Sequence, residues 1–120
     1  MLSLIIPAFN EEGGVATTIK TVSEALSRAG LVPFEILIVD DGSSDETALR
    51  SEQAGATIIR HLQNQGYGRS LKDGILAAKF DIIVMMDADG TYPPDEIAGL
   101  VAMHREGYSM VVGERSGRVF

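Results

Sequence analysis

A chain of 120 residues, 45% apolar and with a formal net charge of −7, is one domain's worth of sequence and can bury a core, but its acidity argues against a nucleic-acid surface. Cysteine is absent, which leaves no disulfide framework and no thiolate metal site and fits a reducing, cytoplasmic compartment. The longest apolar runs are about a third of the length a membrane span needs. Pro7 and Asn10 come early and no basic region precedes them, so the N-terminus does not read as a signal peptide.

Taken in chain order, Leu2 to Ile6 reads as a short apolar strand closed by Pro7. Asn10-Glu11-Glu12 is expected to open a helix, in which Val15, Ile19, Val22, Leu26 and Ala29 form one apolar stripe and Gly30 ends the last turn. Phe34 to Val39 is a second strand, ending in Asp40-Asp41-Gly42. Ser43 with Glu46 three residues on has the spacing of a capping box, so a second helix is expected through Gln53. Ala56 to Arg60 makes a third strand, Asn64-Gln65-Gly66-Tyr67-Gly68 a loop, and Leu71, Ile75 and Ala78 mark a third helix. The five apolar residues Ile82 to Met86 read as a central strand buried on both faces. Pro93-Pro94-Asp95-Glu96 starts a fourth helix, and Ser109 to Val112 is a fifth strand. The alternation predicts an α/β fold, a mostly parallel sheet with helices on both faces, spanning residues 1–120 as a single domain. The polar, glycine-rich end from Gly113 to Phe120 reads as a cut through something larger.

Three strand ends carry polar residues: Pro7-Ala8-Phe9-Asn10-Glu11, Asp40-Asp41-Gly42-Ser43 and Asp87-Ala88-Asp89. In a parallel sheet all three lie along the carboxyl edge, where ligands bind. Asp87 and Asp89 repel one another and need a cation, a shared proton or full solvation. A hard divalent metal carrying phosphate oxygens suits such a pair best, while the plain alternative is a turn that simply ends a strand. Gly66 and Gly68 allow a loop to approach a ligand, and Arg69 or Lys72 could meet phosphate, although a solvated helix face explains both cations. His61 and His104 read as surface or core-edge residues.

Two family resemblances compete. Asp87-Ala88-Asp89-Gly90-Thr91 resembles the first motif of haloacid dehalogenase phosphatases, in which the first Asp is a nucleophile. That motif opens its family's chain, with a serine or threonine, a lysine and further acids on later strands, and the residues after Thr91 do not supply that set. The acidic pair after the second strand resembles a receiver domain that accepts phosphate on Asp, yet no lysine follows the fifth strand.

Four signatures in order, Pro7-Ala8-Phe9-Asn10-Glu11-Glu12, Ile38 to Asp45, Asn64 to Gly68 and Asp87-Ala88-Asp89, resemble those of glycosyltransferase family 2, and its dolichyl-phosphate mannose synthase-like branch above all. The resemblance implies a GT-A fold, a nucleotide-diphosphosugar donor, Mg²⁺ or Mn²⁺, and inverting hexosyl transfer to an acceptor such as a polyprenyl phosphate. It assigns the base and ribose to Pro7, Phe9, Glu11 and Asp41. Metal, diphosphate and hence catalysis go to Asp87 and Asp89, with Ala88 between them at the donor. Arg115 is carried over as a contact to an acceptor phosphate. Relatives often follow the D-x-D with an apolar residue and a Gln that joins the metal, whereas Gly90-Thr91 stands here and leaves the third ligand unassigned. Family members run to about twice this length, so the chain is expected to be the N-terminal, donor-binding half, with turnover poor and any membrane contact made by later segments or a lipid acceptor. Self-association along an uncovered sheet edge is a further expectation.

Overall fold

The computed structural model describes residues 1–88 and 96–105. Eight elements alternate: β1 (Leu2–Ala8), α1 (Val15–Arg28), β2 (Phe34–Asp41), α2 (Thr47–Gln53), β3 (Thr57–His61), α3 (Tyr67–Ala77), β4 (Ile82–Met85) and α4 (Ile97–Arg105). The strands form one parallel sheet in the order β3-β2-β1-β4. The chain therefore builds outward from β1 to β3 and then crosses back to place β4 on the other side of β1. The crevice outside the carboxyl ends of β1 and β4 is the topological switch point, the usual ligand site of an open α/β sheet.

Alternation along the strands divides the core in two. Leu2, Leu4, Ile6 and Ala8 of β1 and Ile36 and Ile38 of β2 pack with Val15, Ile19, Val22 and Leu26 of α1 and Ile97 and Val101 of α4. On the opposite face Ile5, Leu37 and Val39 pack beneath α3 with Leu71, Ala78 and Ile59. The α1 stripe is as expected except at Ala29, which is exposed because it is the C-cap, one residue past the helix. Gly30 then adopts φ +71°, and its N–H and that of Leu31 donate to the carbonyls of Ser27 and Leu26, the paired bonds of a Schellman end.

Three sequence expectations change. Among the described residues β1 has a strand on each side while β4 pairs with β1, and Met85 is 37% exposed, so β4 is not buried on both faces along its whole length. An apolar run signals burial but does not rank neighbouring strands. Pro7 does not close β1, which continues to Ala8 in register with Asp40. The Ile5 carbonyl accepts from Met86 N–H, so odd residues of β1 direct their peptide groups toward β4; Pro7 does so past the last β4 pair, and its missing donor costs the β2 ladder nothing. On α3, Ile75 is 43% exposed while Ser70 and Gly74 are buried, so the helix meets the sheet through small residues. The expected Pro93-Pro94 helix start, the strand at Ser109 to Val112, the tail from Gly113 and the side chain of His104 lie outside the described residues.

Gly74 explains why α3 sits so close. A Cβ there would stand 2.5 Å from Ile5 Cγ2, a branch fixed to the β-carbon of a stiff side chain in the middle of β1. Gly74→Ala gains helix propensity but overpacks this contact, and is expected to destabilise the fold by about 1–3 kcal/mol in urea unfolding. A midpoint equal to that of the wild type would mean that α3 is free to lift from β1.

Candidate functional site

The loop after β1 and the loop after β2 are laced together. Asn10 N–H donates to Ser43 Oγ (2.9 Å), and Ser44 N–H returns a bond to Asn10 Oδ1 (2.9 Å). Glu11 N–H donates to Thr47 Oγ1 (2.9 Å), Glu12 N–H to Asp45 Oδ2 (3.2 Å), and Glu46 N–H to Glu12 Oε2 (3.0 Å). These bonds overturn two local expectations. Asn10-Glu11-Glu12 do not open α1, which begins at Val15 after a turn in which Asn10 has φ +52°. The Ser43–Glu46 capping box does not form: the Ser43 hydroxyl serves Asn10, and Glu46 is the N-cap of α2 without a side-chain cap. Asp45 takes that role, its Oδ1 accepting from Thr47 N–H (3.0 Å) and from the Thr47 hydroxyl. Within this frame Phe9 is 48% exposed, and Pro7 and Glu11 are half-buried at the mouth of the crevice.

The acidic pair at the end of β2 divides between the two faces of the sheet. Asp40, fully buried, accepts from Ser43 N–H through Oδ1 (3.1 Å). Its Oδ2 has no hydrogen-bond partner among the described residues, and Arg60 Nε stands 3.7 Å away. Asp41 faces α3 and is 6% exposed. Its Oδ1 accepts from Gln65 N–H (2.7 Å) and lies 2.8 Å from His61 Nδ1, and its Oδ2 accepts from Gly66 N–H (3.0 Å). His61 Nε2 lies 2.7 Å from Asp73 Oδ2 on α3, and Arg69 Nε donates to Asp73 Oδ1 (3.1 Å). Gly42 makes room for this arrangement: at φ +79°, a Cβ on it would stand 2.7 Å from the backbone nitrogen of Asn64. The turn after β2 and the 62–66 loop thus touch backbone to backbone.

The charges follow from these contacts. Burial alone would raise the Asp41 carboxyl, but hydrogen bonds from His61, Gln65 and Gly66 outweigh it and hold it below the usual carboxylate range. The His61 pKa is raised, first by its bond to Asp41 and then, against the effect of burial, by Asp73. Asp73 is lowered by His61 foremost, and by Arg69 in spite of some desolvation. His61 and Asp73 were missed in the sequence, and Arg69 serves Asp73 there rather than standing as a free helix-face cation. The one available signal was parity: extending both strands by a residue or two brings Asp41 and His61 into register on one face.

At the end of β4, Asp87 is half-buried and Ala88 is 3% exposed, packed in the core with α1. Thr18 Oγ1 of α1 donates to the Ala88 carbonyl (3.3 Å), which ties the turn between the two acids to the first helix. A larger residue at 88 would have to displace that core. Asp89, Gly90 and Thr91 lie outside the described residues, as does Arg115. Among the described residues no group of three or more metal-binding side chains is assembled. Asp87 supplies one hard carboxylate next to the switch point, and the chemistry of that donor suits Mg²⁺ or Mn²⁺ rather than a soft metal.

Known proteins agree with this geometry. The family model described as Glycosyl transferase family 2 matches residues 3–119. Undecaprenyl-phosphate 4-deoxy-4-formamido-L-arabinose transferase of Enterobacter sp. strain 638 is 38% identical over 123 residues, covering 98% of this chain and 37% of that protein. The protein of the same name from Salmonella choleraesuis is 37% identical over 126 residues, again across 98% of this chain and 37% of its own length. The chain thus spans little more than a third of these relatives. Among solved structures, glucosyl-3-phosphoglycerate synthase from Mycobacterium tuberculosis in complex with UDP superposes with a TM-score of 0.77 at 28% identity, covering 92% of this chain and 42% of that one. The same enzyme with Mn²⁺, UDP and phosphoglyceric acid gives 0.75 at 27%, covering 92% and 41%. The fold is that of the GT-A glycosyltransferases, and nothing in these likenesses supports the phosphatase alternative. With a match running through all four signatures and nearly end to end, the chain belongs to glycosyl transferase family 2.

Proposed function

We propose that this chain is the donor-binding part of a glycosyltransferase that takes a nucleotide-diphosphosugar with a divalent metal and passes the sugar to a polyprenyl phosphate. The observation that carries the reading is the meeting of the β1, β2 and β4 motifs at the carboxyl edge, around the β1/β4 switch point. The UDP and Mn²⁺ held by the mycobacterial synthase support the donor and the metal, and the undecaprenyl-phosphate transferases support the acceptor. Residues 1–120 act as one donor-binding domain in this reading. No helix among the described residues is long and apolar enough to cross a membrane, and the proposed acceptor is a lipid phosphate. A cytoplasmic membrane face is where a cysteine-free, donor-binding domain would meet it.

Each residue has a chemical task. Phe9, half exposed at the rim, packs against the base, while Pro7 keeps the strand end rigid and Glu11 accepts from ribose or base. Asp41 has capacity left among the described residues: a carboxylate oxygen offers two lone pairs, Oδ1 is filled by His61 and Gln65, and Oδ2 holds Gly66. The remaining lone pair can accept a ring N–H of the base. Asp87 and Asp89 would hold the metal, with Ala88 keeping them one residue apart and Thr18 holding the Ala88 carbonyl. When bound, the metal supplies Lewis-acid stabilisation of the charge that develops on the diphosphate. In the transfer the bond from the sugar's anomeric carbon to the diphosphate oxygen breaks, its electron pair leaving with the diphosphate. A bond forms from the acceptor oxygen to the same carbon. A phosphate oxygen is already anionic, so this acceptor needs no general base; Arg115 is the residue proposed to meet it.

A thermal-shift panel of UDP, GDP, CDP and dTDP sugars, with and without Mn²⁺, tests the reading. At a hundred times Kd the matching donor should stabilise the chain by about 2.7 kcal/mol, and only with metal. Asp89→Asn is expected to abolish most of that metal-dependent stabilisation without unfolding the protein. Equal nucleotide affinity in EDTA would sink the metal assignment, and phosphoester hydrolysis lost in Asp87→Asn would point back to a phosphatase.

The rim aromatic gives a separate prediction. Stacking of a base on an aromatic side chain is worth about 1–3 kcal/mol, so Phe9→Ala should weaken nucleotide binding by that amount in calorimetry. Because the ring is half exposed, the unfolding midpoint should barely move. Undiminished affinity would place the base elsewhere along the edge.

A further inference from the structure

We propose that His61 is a positioning residue for the donor base: as an imidazolium bridging Asp41 and Asp73, it fixes the Asp41 carboxylate and clamps the 62–66 loop to the end of β2. The inference rests on the donor reading above, and it adds that nucleotide affinity follows the proton on His61. His61 ends β3 in register with Asp41 at the end of β2, which puts both side chains on the α3 face. Its nitrogens lie 2.8 Å from Asp41 Oδ1 and 2.7 Å from Asp73 Oδ2, and the side chain is 10% exposed. A neutral imidazole has one N–H and one lone pair, so between two ionised carboxylates one contact would set a lone pair against an anionic oxygen at under 3 Å. The doubly protonated ring donates to both and satisfies both.

Among the described residues the charged groups facing the ring come from two elements. Asp41 approaches from β2; Asp73 approaches from α3 with Arg69 bonded behind it. The 62–66 loop contributes backbone N–H groups from Gln65 and Gly66, both to Asp41, and Arg60 lies on the opposite face of the sheet near Asp40. Loop, carboxylate and ring are therefore one unit: Asp41 Oδ1 accepts from His61 and Gln65 together, and Ser70 Oγ returns to the Gly66 carbonyl (3.0 Å) from the first turn of α3. The His61 pKa is raised, so the bridge is intact below its ordinary range and is lost as pH rises through the raised value. The Asp41 and Asp73 pKa values are lowered, so both stay ionised until pH falls below the ordinary carboxylate range. The bridge therefore persists to higher pH than an ordinary imidazolium would and is lost on the alkaline side of its own raised pKa. Loss of the proton removes one of the two charge-assisted bonds and frees the Asp41 carboxylate or its Asp73 anchor.

The test is the affinity for UDP with Mg²⁺ between about pH 6 and 9, in wild type, His61→Gln and Asp73→Asn, together with ¹⁵N NMR of the His61 ring. Both ring nitrogens should be protonated at neutral pH, and wild-type affinity should fall about tenfold on the alkaline side, the scale of one hydrogen bond to a charged group. His61→Gln should bind about tenfold more weakly at neutral pH and lose the dependence. Asp73→Asn, at the more open end of the bridge, should move the inflection to lower pH, and it carries the test if His61→Gln does not fold. A neutral His61 at pH 7, or the same pH profile in wild type and His61→Gln, overturns the inference and leaves the donor reading standing. If wild type binds no nucleoside diphosphate at any pH while the ring is doubly protonated, the donor reading has failed, and the pH-linked affinity with it.

Discussion

Carboxylates at the end of a parallel sheet and loop amides with no strand to pair with are each costly alone, and at the carboxyl edge of this fold each satisfies the other. Asp40 accepts from Ser43 N–H, Asp41 from Gln65 and Gly66, Asp45 from Thr47 and Glu12, and Glu12 from Glu46. Backbone N–H groups bond strongly to an ionised acceptor and bring no counter-charge of their own. A chain of net charge −7 can therefore gather acids along one edge without an equal number of lysines and arginines. The same bonds give the loops a shape before any ligand arrives. That preorganisation suits the proposed hold on a base and ribose by a few aimed acceptors.

The order of the strands decides where those loops converge. β1 has strands on both sides, its residues from Leu2 to Ile6 are fully buried, and Gly74 lets α3 lie directly upon it. Any lateral shift of β1 would move Phe9 and Glu11 relative to both Asp41 and Asp87, because β2 and β4 are registered to it residue by residue. Thr18 adds a bond from α1 to Ala88, so the helix that follows β1 also fixes the turn that follows β4. The rigidity of the switch point thus comes from apolar burial on both faces of one strand.

Much of this was legible in the sequence, for physical reasons. Helix stripes at 3.6-residue spacing and short apolar runs carried the alternation of elements, and the acids at strand ends pointed to the edge proposed as the donor site. What escaped depended on partners distant in sequence. The run from Ile82 to Met86 is as apolar as β1, and nothing in it says that it pairs on one side only among the described residues. Ser43 and Glu46 have the spacing of a capping box, but spacing cannot reveal that Asn10, 33 residues earlier, uses the serine hydroxyl. His61 is a lone histidine in sequence and became a bridge only when β3 aligned with β2 and α3 brought Asp73 across. On α3 Leu71 packs inward as its spacing suggests, but the fully buried residues are Ser70 and Gly74, which carry no hydrophobic signal.

Strand parity explains why two adjacent aspartates stand at the end of β2 and why they are not equivalent. Successive residues of a strand point to opposite faces, so Asp40 and Asp41 cannot share a role. Asp40 turns to the α1 face, is wholly enclosed, and closes the Gly42-Ser43 turn with one oxygen while Arg60 stands beside the other. Ser43 in turn receives Asn10, so Asp40 shapes the first loop at one remove, through the turn it closes. Asp41 turns to the α3 face and meets the 62–66 loop and His61 directly, with one lone pair of Oδ2 left over among the described residues. One acid therefore organises the wall formed by the β1 and β2 loops, and its neighbour organises the wall formed by the loop after β3. Because the two acids are successive residues of one strand, the loops they hold keep a fixed separation across the edge proposed to bind the donor.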